Sequence, residues 1–225
     1  TCKACKSECP SNVDISKIRS EILHLQHKAM GVPIKTYMIT YLAWITRIGS
    51  YIPHIYNLVT TNKWTSYVIK KCLNFAVERH LPKVSIRTMR ALCKSENKKK
   101  SNKKVYVFAD EFINYQEAEL GLTFVKLLTH LGYEVEIPKH EESGRAAISK
   151  GCLNVATKYA EKNVRLLKGI INDDTPLIGI EPSCILTFRD EYIDLVSEPM
   201  KEDARQLGRN CFLYDEWLVR KVKNG

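Results

Sequence analysis

The sequence predicts an α/β protein, in which a mainly helical N-terminal region precedes a three-layer domain built on a parallel sheet. Three observations predict it. Apolar residues recur at helical spacing up to residue 93. After residue 104, short apolar runs of strand type alternate with amphipathic stretches. The charge also reverses between the halves: residues 1–104 carry 20 Lys/Arg against 5 Asp/Glu, and residues 105–225 carry 15 against 20. A break of that size separates regions with different surfaces.

Ile15, Ile18, Ile22, Leu23 and Leu25 predict a helix over 15–30. Further helices are expected over 35–50, 54–61, 64–80 and 85–93, separated by Pro33, Pro53 and Pro82. The Lys-rich run 94–104 reads as a solvated linker. Strands are expected over 105–108, 133–138 and 176–180, with helices over 117–131, stopped by Gly132, then 151–169 and 184–196. Residues 211–213 form a fourth short strand that leads into a helix around 216–222. This alternation implies a parallel sheet with right-handed crossovers. The chain therefore divides into a cluster segment (1–14), a helical region (15–93), a linker (94–104) and an α/β domain (105–225).

At 225 residues, with 44% hydrophobic and 27% charged residues, the composition is that of an ordinary folded protein. No apolar run approaches the ~18–20 residues needed to cross a bilayer. The sequence opens at Thr1 without a signal-peptide pattern, so its native start, with any targeting segment, is expected upstream. A cytoplasmic location is expected, with peripheral attachment at the inner face of the membrane as the variant reading. The net charge of +10 comes without a nucleic-acid-binding motif, so no nucleic acid is expected as partner.

Of eight cysteines, three crowd into the first nine residues. Cys2, Cys5, Cys9 and Pro10 have the spacing C-x2-C-x3-C-P, which matches the last three cysteines of the ferredoxin run C-x2-C-x2-C-x3-C-P. A tight loop lets neighbouring thiolates reach one cubane, and the proline turns the chain away so that the last cysteine reaches another. A disulfide pair with a spare thiol, or a zinc knuckle lacking a ligand, are the competing readings; the proline and both spacings favour a [4Fe–4S] cluster. The run's first cysteine is expected just upstream of Thr1. Without it, Cys2, Cys5 and Cys9 are expected to be empty or disordered in the isolated chain.

Residues 2–14 resemble the ferredoxin segment of FAD-linked oxidases of the D-lactate dehydrogenase and glycolate oxidase type. Residues 110–115 with Glu119, Ser143-Gly144-Arg145 with Ser149-Lys150-Gly151, and residues 180–184 with 188–192 resemble, in order, the cysteine-rich domain of those proteins. Glu181-Pro182-Ser183-Cys184 is the most specific part. The resemblance implies an upstream FAD domain that oxidises a 2-hydroxy acid and passes electrons through clusters to a quinone or another redox protein. It also implies kinship with the cysteine-rich subunit of heterodisulfide reductase, whose Cys-Cys-Gly repeats bind unusual iron–sulfur clusters. This chain departs from that pattern. It has Glu142-Ser143-Gly144-Arg145 where relatives have Cys-Cys-Gly-Arg, and no cysteine in 110–115. Only Cys184 remains of that site, which argues against a cluster of this type.

Cys184 sits where a strand ends and a helix begins, a position whose backbone N–H groups and dipole favour a thiolate. Ligands of open parallel sheets gather at the carboxyl ends of strands, where 110–114, 140–145 and 181–184 converge by topology. The site has three readings: a single zinc or iron held by Cys184 with His140 or Glu142, a redox-active or nucleophilic thiol at Cys184, or a relic whose residues hydrogen-bond loop backbones. Arg145 either clamps an anion or pairs with Glu181. Cys72, Cys93, Cys152 and Cys211 read as buried small hydrophobes.

Residues 37–68 interleave Tyr37, Tyr41, Trp44, Tyr51, Tyr56, Trp64 and Tyr67 with Lys and Arg. This is either a surface lying on a membrane near a quinone, the docking face for the FAD domain, or a helical core with snorkelling basic residues; docking or core is preferred. Two functions follow. The first is the electron-transfer part of an FAD-linked oxidoreductase, inactive when isolated. The alternative is a non-catalytic interaction or scaffold domain with a degenerate metal site at Cys184.

Overall fold

The computed structural model describes residues 8–11, 13–94 and 100–223. Its first half is helical. Asp14 caps α1 (Ile15–Met30) by accepting from the Lys17 amide at 3.0 Å, and Gly31 ends it at φ 84°. Glycine takes that left-handed φ without steric cost. After Pro33 come α2 (Ile34–Thr40) and α3 (Leu42–Gly49), two helices where the periodicity predicts one, because Tyr41 breaks the run at ψ 18°. Pro53 opens α4 (Pro53–Thr61), and the Asn62 side chain caps α5 (Lys63–Cys72) by accepting from the Trp64 and Thr65 amides. The helix expected over 64–80 stops at Cys72. Asn74 takes φ 53°, and the Lys70 ammonium turns onto the Val77 and Arg79 carbonyls, closing the following loop.

A short helix α6 (Met89–Lys94) precedes β1 (Lys104–Phe108). Then follow α7 (Glu111–Tyr115), α8 (Ala118–His130), β2 (Glu134–Glu136), α9 (Arg145–Ser149), α10 (Leu153–Leu167) and β3 (Leu177–Gly179). The chain closes with α11 (Pro182–Asp190), α12 (Tyr192–Leu195), a 3-10 turn (Glu198–Met200), α13 (Lys201–Arg209), β4 (Cys211–Leu213) and α14 (Tyr214–Lys223). The helix expected over 184–196 is split at Glu191. The highly charged α13 has only Ala204, Leu207 and Gly208 to mark its buried side, which is why the sequence pattern passes over it.

The four strands form one parallel sheet in the order β2-β1-β3-β4, with Val105 beside Val135, Val107 beside Ile178 and Ile178 beside Phe212. The predicted α/β architecture with a parallel sheet is the observed one. Alternation along β1 separates two cores. Val105 and Val107 join Met89, Phe124, Leu128 and Trp217 on one face. Tyr106 and Phe108 join Val164, Ile185, Phe188 and Tyr192 on the other. Both faces are covered, so β1 reads as a nearly continuous apolar run. Each fully buried side chain of this kind contributes roughly 1.5–3 kcal/mol.

The helical half buries the opposite kind of residue. In α1–α5 the buried positions are Ser20, Thr40, Thr46, Gly49, Thr60, Ser66 and Lys70. Among the described residues, no large apolar side chain before Val84 is fully buried. Trp44, Tyr51 and Trp64 are 59%, 75% and 81% exposed, which overturns the reading of this half as a helical core. Cys72 is likewise exposed rather than a buried hydrophobe, while Cys211 is buried.

Candidate functional site

The strand order sets the place of the site. From β1 the chain moves to β2 on one side, and from β3 to β4 on the other. The carboxyl ends of β1 and β3 therefore bound the crevice in which such sheets place their ligands. Asp110 and Glu111 follow β1, and Glu181 and Cys184 follow β3. The loop after β2 brings Glu142 and Ser143 over them.

Each loop is fixed by its own chemistry. The Asp110 side chain accepts from the Phe112 and Ile113 amides at 2.9 and 3.0 Å, starting α7. Its other carboxyl oxygen is buried without a hydrogen-bond partner among the described residues. Glu181 starts α11 in the same manner, accepting from the Ser183 amide and hydroxyl at 3.2 and 2.7 Å. The Ser143 hydroxyl donates to Glu111 Oε1 at 3.4 Å and accepts from the Arg145 amide at 3.2 Å. Gly144 makes the turn into α9 at φ 79°.

Asn163, which the sequence pattern does not single out, and Tyr192 hold the β2 loop from outside. Asn163 on α10 accepts from the Glu141 amide at 2.7 Å and donates to the Glu142 carbonyl at 2.9 Å and the Tyr192 hydroxyl at 2.8 Å. Tyr192 donates in turn to the Ser143 carbonyl at 3.0 Å. Asn163 had a sequence signal: it is the one polar member of the buried stripe Ala156, Ala160, Asn163, Leu167.

The crevice is rich in carboxyls, of which Asp110 and Glu111 are buried. Burial raises Asp110 to about 7, helped by the charges of Glu111 and Glu181. Burial and the adjacent Glu111 raise Glu142 to about 9. Glu111 is raised as well, chiefly by burial, against hydrogen bonds from Glu142 and Ser143. The two carboxyls titrate as a pair, and burial beside each other pushes both upward.

Cys184 does not behave as its position at a helix start predicts. The thiol is fully buried, and burial followed by the charges of Glu111 and Asp110 holds its pKa well above the ordinary value. Desolvation and like charges outweigh the dipole. The expected thiolate is a neutral thiol.

His140 lies under the crevice, with both ring nitrogens engaged. Nε2 accepts from the Ala109 amide at 3.2 Å, and Nδ1 faces the Glu141 carbonyl at 2.8 Å, which fixes a neutral ring protonated at Nδ1. Burial, with the nearby Arg90, lowers its pKa to about 3. Its ring lies tilted against that of Phe108, with centroids 4.3 Å apart. Both ring nitrogens of His140, expected beside Glu142 and Cys184 as a metal ligand, meet backbone groups. Among the described residues, no group of three His, Cys, Asp or Glu is arranged to hold a metal ion. One protonated thiol among hard oxygen donors does not fit an iron–sulfur cluster either, since clusters are held by several thiolates. Arg145 pairs with Glu191 at 3.1 Å rather than with Glu181. Of the N-terminal cysteines, Cys2 and Cys5 lie outside the described residues, and Cys9 is half-buried.

The chain is 25% identical over 235 residues to D-2-hydroxyglutarate dehydrogenase of Pantoea ananatis, an alignment covering 99% of this chain. The chain is similar to dehydrogenases. The Escherichia coli D-2-hydroxyglutarate dehydrogenase is 24% identical over 99% of the chain. One of the subunits of the anaerobic glycerol-3-phosphate dehydrogenase of the same organism is 26% identical over 96% of it, and the match spans 54% of that relative. The chain spans about a fifth of the D-2-hydroxyglutarate dehydrogenases it matches, 22% of their length. These relatives agree with the resemblance to the C-terminal part of FAD-linked oxidases. No family model matches the chain, and no solved structure matches it.

Proposed function

We propose that the chain is the iron–sulfur electron-transfer part of an FAD-linked oxidoreductase that oxidises a 2-hydroxy acid, with D-2-hydroxyglutarate the first substrate to try. One observation carries this reading: the similarity to dehydrogenases of that acid runs through 99% of the chain rather than through one motif. The spacing of Cys2, Cys5, Cys9 and Pro10 supports it, because Cys2 and Cys5 are spaced to reach one cubane and Cys9, before the proline, to reach another.

In this reading residues 1–14 end a ferredoxin-type segment whose [4Fe–4S] cluster, when bound, carries single electrons. Residues 15–93 are a helical region, 94–104 a linker and 105–225 the α/β domain. FAD belongs to a domain outside this chain, and a quinone or another redox protein accepts the electrons. The crevice at Cys184 takes no part in the transfer; its groups hold three loops together.

The polypeptide containing this chain, purified whole without oxygen, tests the proposal. It is expected to contain iron and acid-labile sulfide, to lose both on Cys9→Ser, and to reduce an artificial acceptor with D-2-hydroxyglutarate. Absence of iron and sulfide would end the redox reading. It would leave the second reading, a non-catalytic interaction domain, which has in its favour that the crevice is closed by its own hydrogen bonds.

A further inference from the structure

The N-terminal helices are assembled with their apolar sides outward. On α1, Ile15, Ile18, Ile22 and Leu25 recur at steps of three and four, one stripe of a 3.6-residue helix, and are 46–63% exposed. The opposite side of the same helix docks on the protein, where Ser20 is buried and His24 Nδ1 meets the Gly151 carbonyl at 3.1 Å. On α3, Trp44 and Ile48 face outward and Thr46 and Gly49 inward. On α4, Ile55 and Leu58 are exposed and Thr60 is buried. On α5, Trp64 and Val68 are exposed while Ser66 and Lys70 are buried.

Water selects the reverse pattern, with apolar stripes inside. Small and hydroxylated residues between helices, with apolar side chains outside, is how helices pack in an apolar medium. Among the described residues no helix is long and apolar enough to cross a membrane, so a spanning arrangement does not account for the face. Helices that lie in the plane of a bilayer do account for it.

Charge selects the occupant. Residues 15–93 hold 12 Lys/Arg against 2 Asp/Glu. Exposed lysines, such as Lys28, Lys63 and Lys71, flank the apolar stripes, and Lys71 Nζ sits 5.8 Å over the Tyr67 ring. Lysine is depleted where one protein docks on another, whereas anionic headgroups attract each one. Tryptophan and tyrosine bridge apolar and wet zones at the headgroup level. We propose that the outer face of α1–α5 lies on an anionic lipid surface. This stands apart from the redox reading, since a polypeptide without iron would still bind.

The test is co-sedimentation of the whole polypeptide with vesicles of phosphatidylcholine, alone or mixed with phosphatidylglycerol, at low salt. Retention on the mixed vesicles, release by added salt, and about five-fold weaker binding of Lys63→Glu are expected. The double variant Ile22→Asp with Trp64→Asp should lose binding. Leu131→Asp, an exposed apolar position on the α/β half, should keep it. Failure to bind mixed vesicles overturns the proposal, as does undiminished binding by the double variant. So does self-association that the double variant abolishes, which would make a second copy the occupant.

Discussion

Asn163 on α10 donates to the Tyr192 hydroxyl on α12 at 2.8 Å, at a point where both side chains are fully buried. Through this pair the two helices grip the loop that carries Glu142 and Ser143. Asn163→Leu keeps the size but leaves the partly buried Glu141 amide and Glu142 carbonyl without their partner. Stranding buried polar groups costs about 1–3 kcal/mol each. We expect a loss of roughly 2–4 kcal/mol for Asn163→Leu and about 1–2 kcal/mol for Tyr192→Phe, read from urea unfolding midpoints. A wild-type midpoint for Asn163→Leu would refute the bracing role.

The crevice carboxyls set the alkaline side of the stability profile. Folding raises Glu142 to about 9 and Asp110 to about 7, while the unfolded chain releases those protons near pH 4. The folded state binds more protons in between, so these groups make stability fall as pH rises from about 4 toward 9. Glu142→Gln should flatten that decline and leave stability near pH 5 about unchanged. An unaltered slope would show that Glu142 does not hold a proton in the fold.

His140 sets the acid side. It is neutral down to about 3 in the fold and to about 6.5 when unfolded. Stability is therefore lost as pH falls from about 6.5 toward 3. Histidine NMR should show one imidazole that stays neutral at pH 5, and its absence in His140→Gln would assign it.

Thiol labelling should sort the cysteines by burial. Cys72 is exposed and should react with iodoacetamide in the native state. Cys184 and Cys211, buried and held high, should react only after unfolding. Native labelling at Cys184, located by mass spectrometry, would mean that the crevice opens and that thiol chemistry is available after all.

Gly151 positions α1. Its φ of 69° suits glycine, and a Cβ there would overlap Leu23 while its carbonyl receives His24. Gly151→Ala should cost about 1–3 kcal/mol and loosen α1, seen as faster proteolysis between residues 15 and 30. Unchanged cleavage would place the anchor of α1 elsewhere.

Much of the fold was legible in the residues. The strand at Lys104–Phe108 announces itself by its apolar run, and the start of α4 by Pro53. The meeting of the 110, 142 and 184 loops followed from parallel topology alone, because every such strand delivers its chain to the same edge. Less legible were the breaks at Tyr41 and Cys72, which tertiary contacts such as Lys70 with Val77 reinforce. The state of Cys184 was not legible at all. Its helix position is local information, whereas its burial beneath Glu111 and Ser143 is not.

By itself the sequence determined most of the helices and strands, the parallel sheet and the spacing of the N-terminal cysteines, because periodicity and spacing act over a few neighbouring residues. Tertiary structure alone decided which side of each helix meets the protein and which carboxyls keep their protons. The physical reason is that both depend on the loss of water around a group, and water is excluded only when distant segments close over it. The same amphipathic stripe on α1 reads identically facing in or out; the docking of Ser20 and His24 turned it outward.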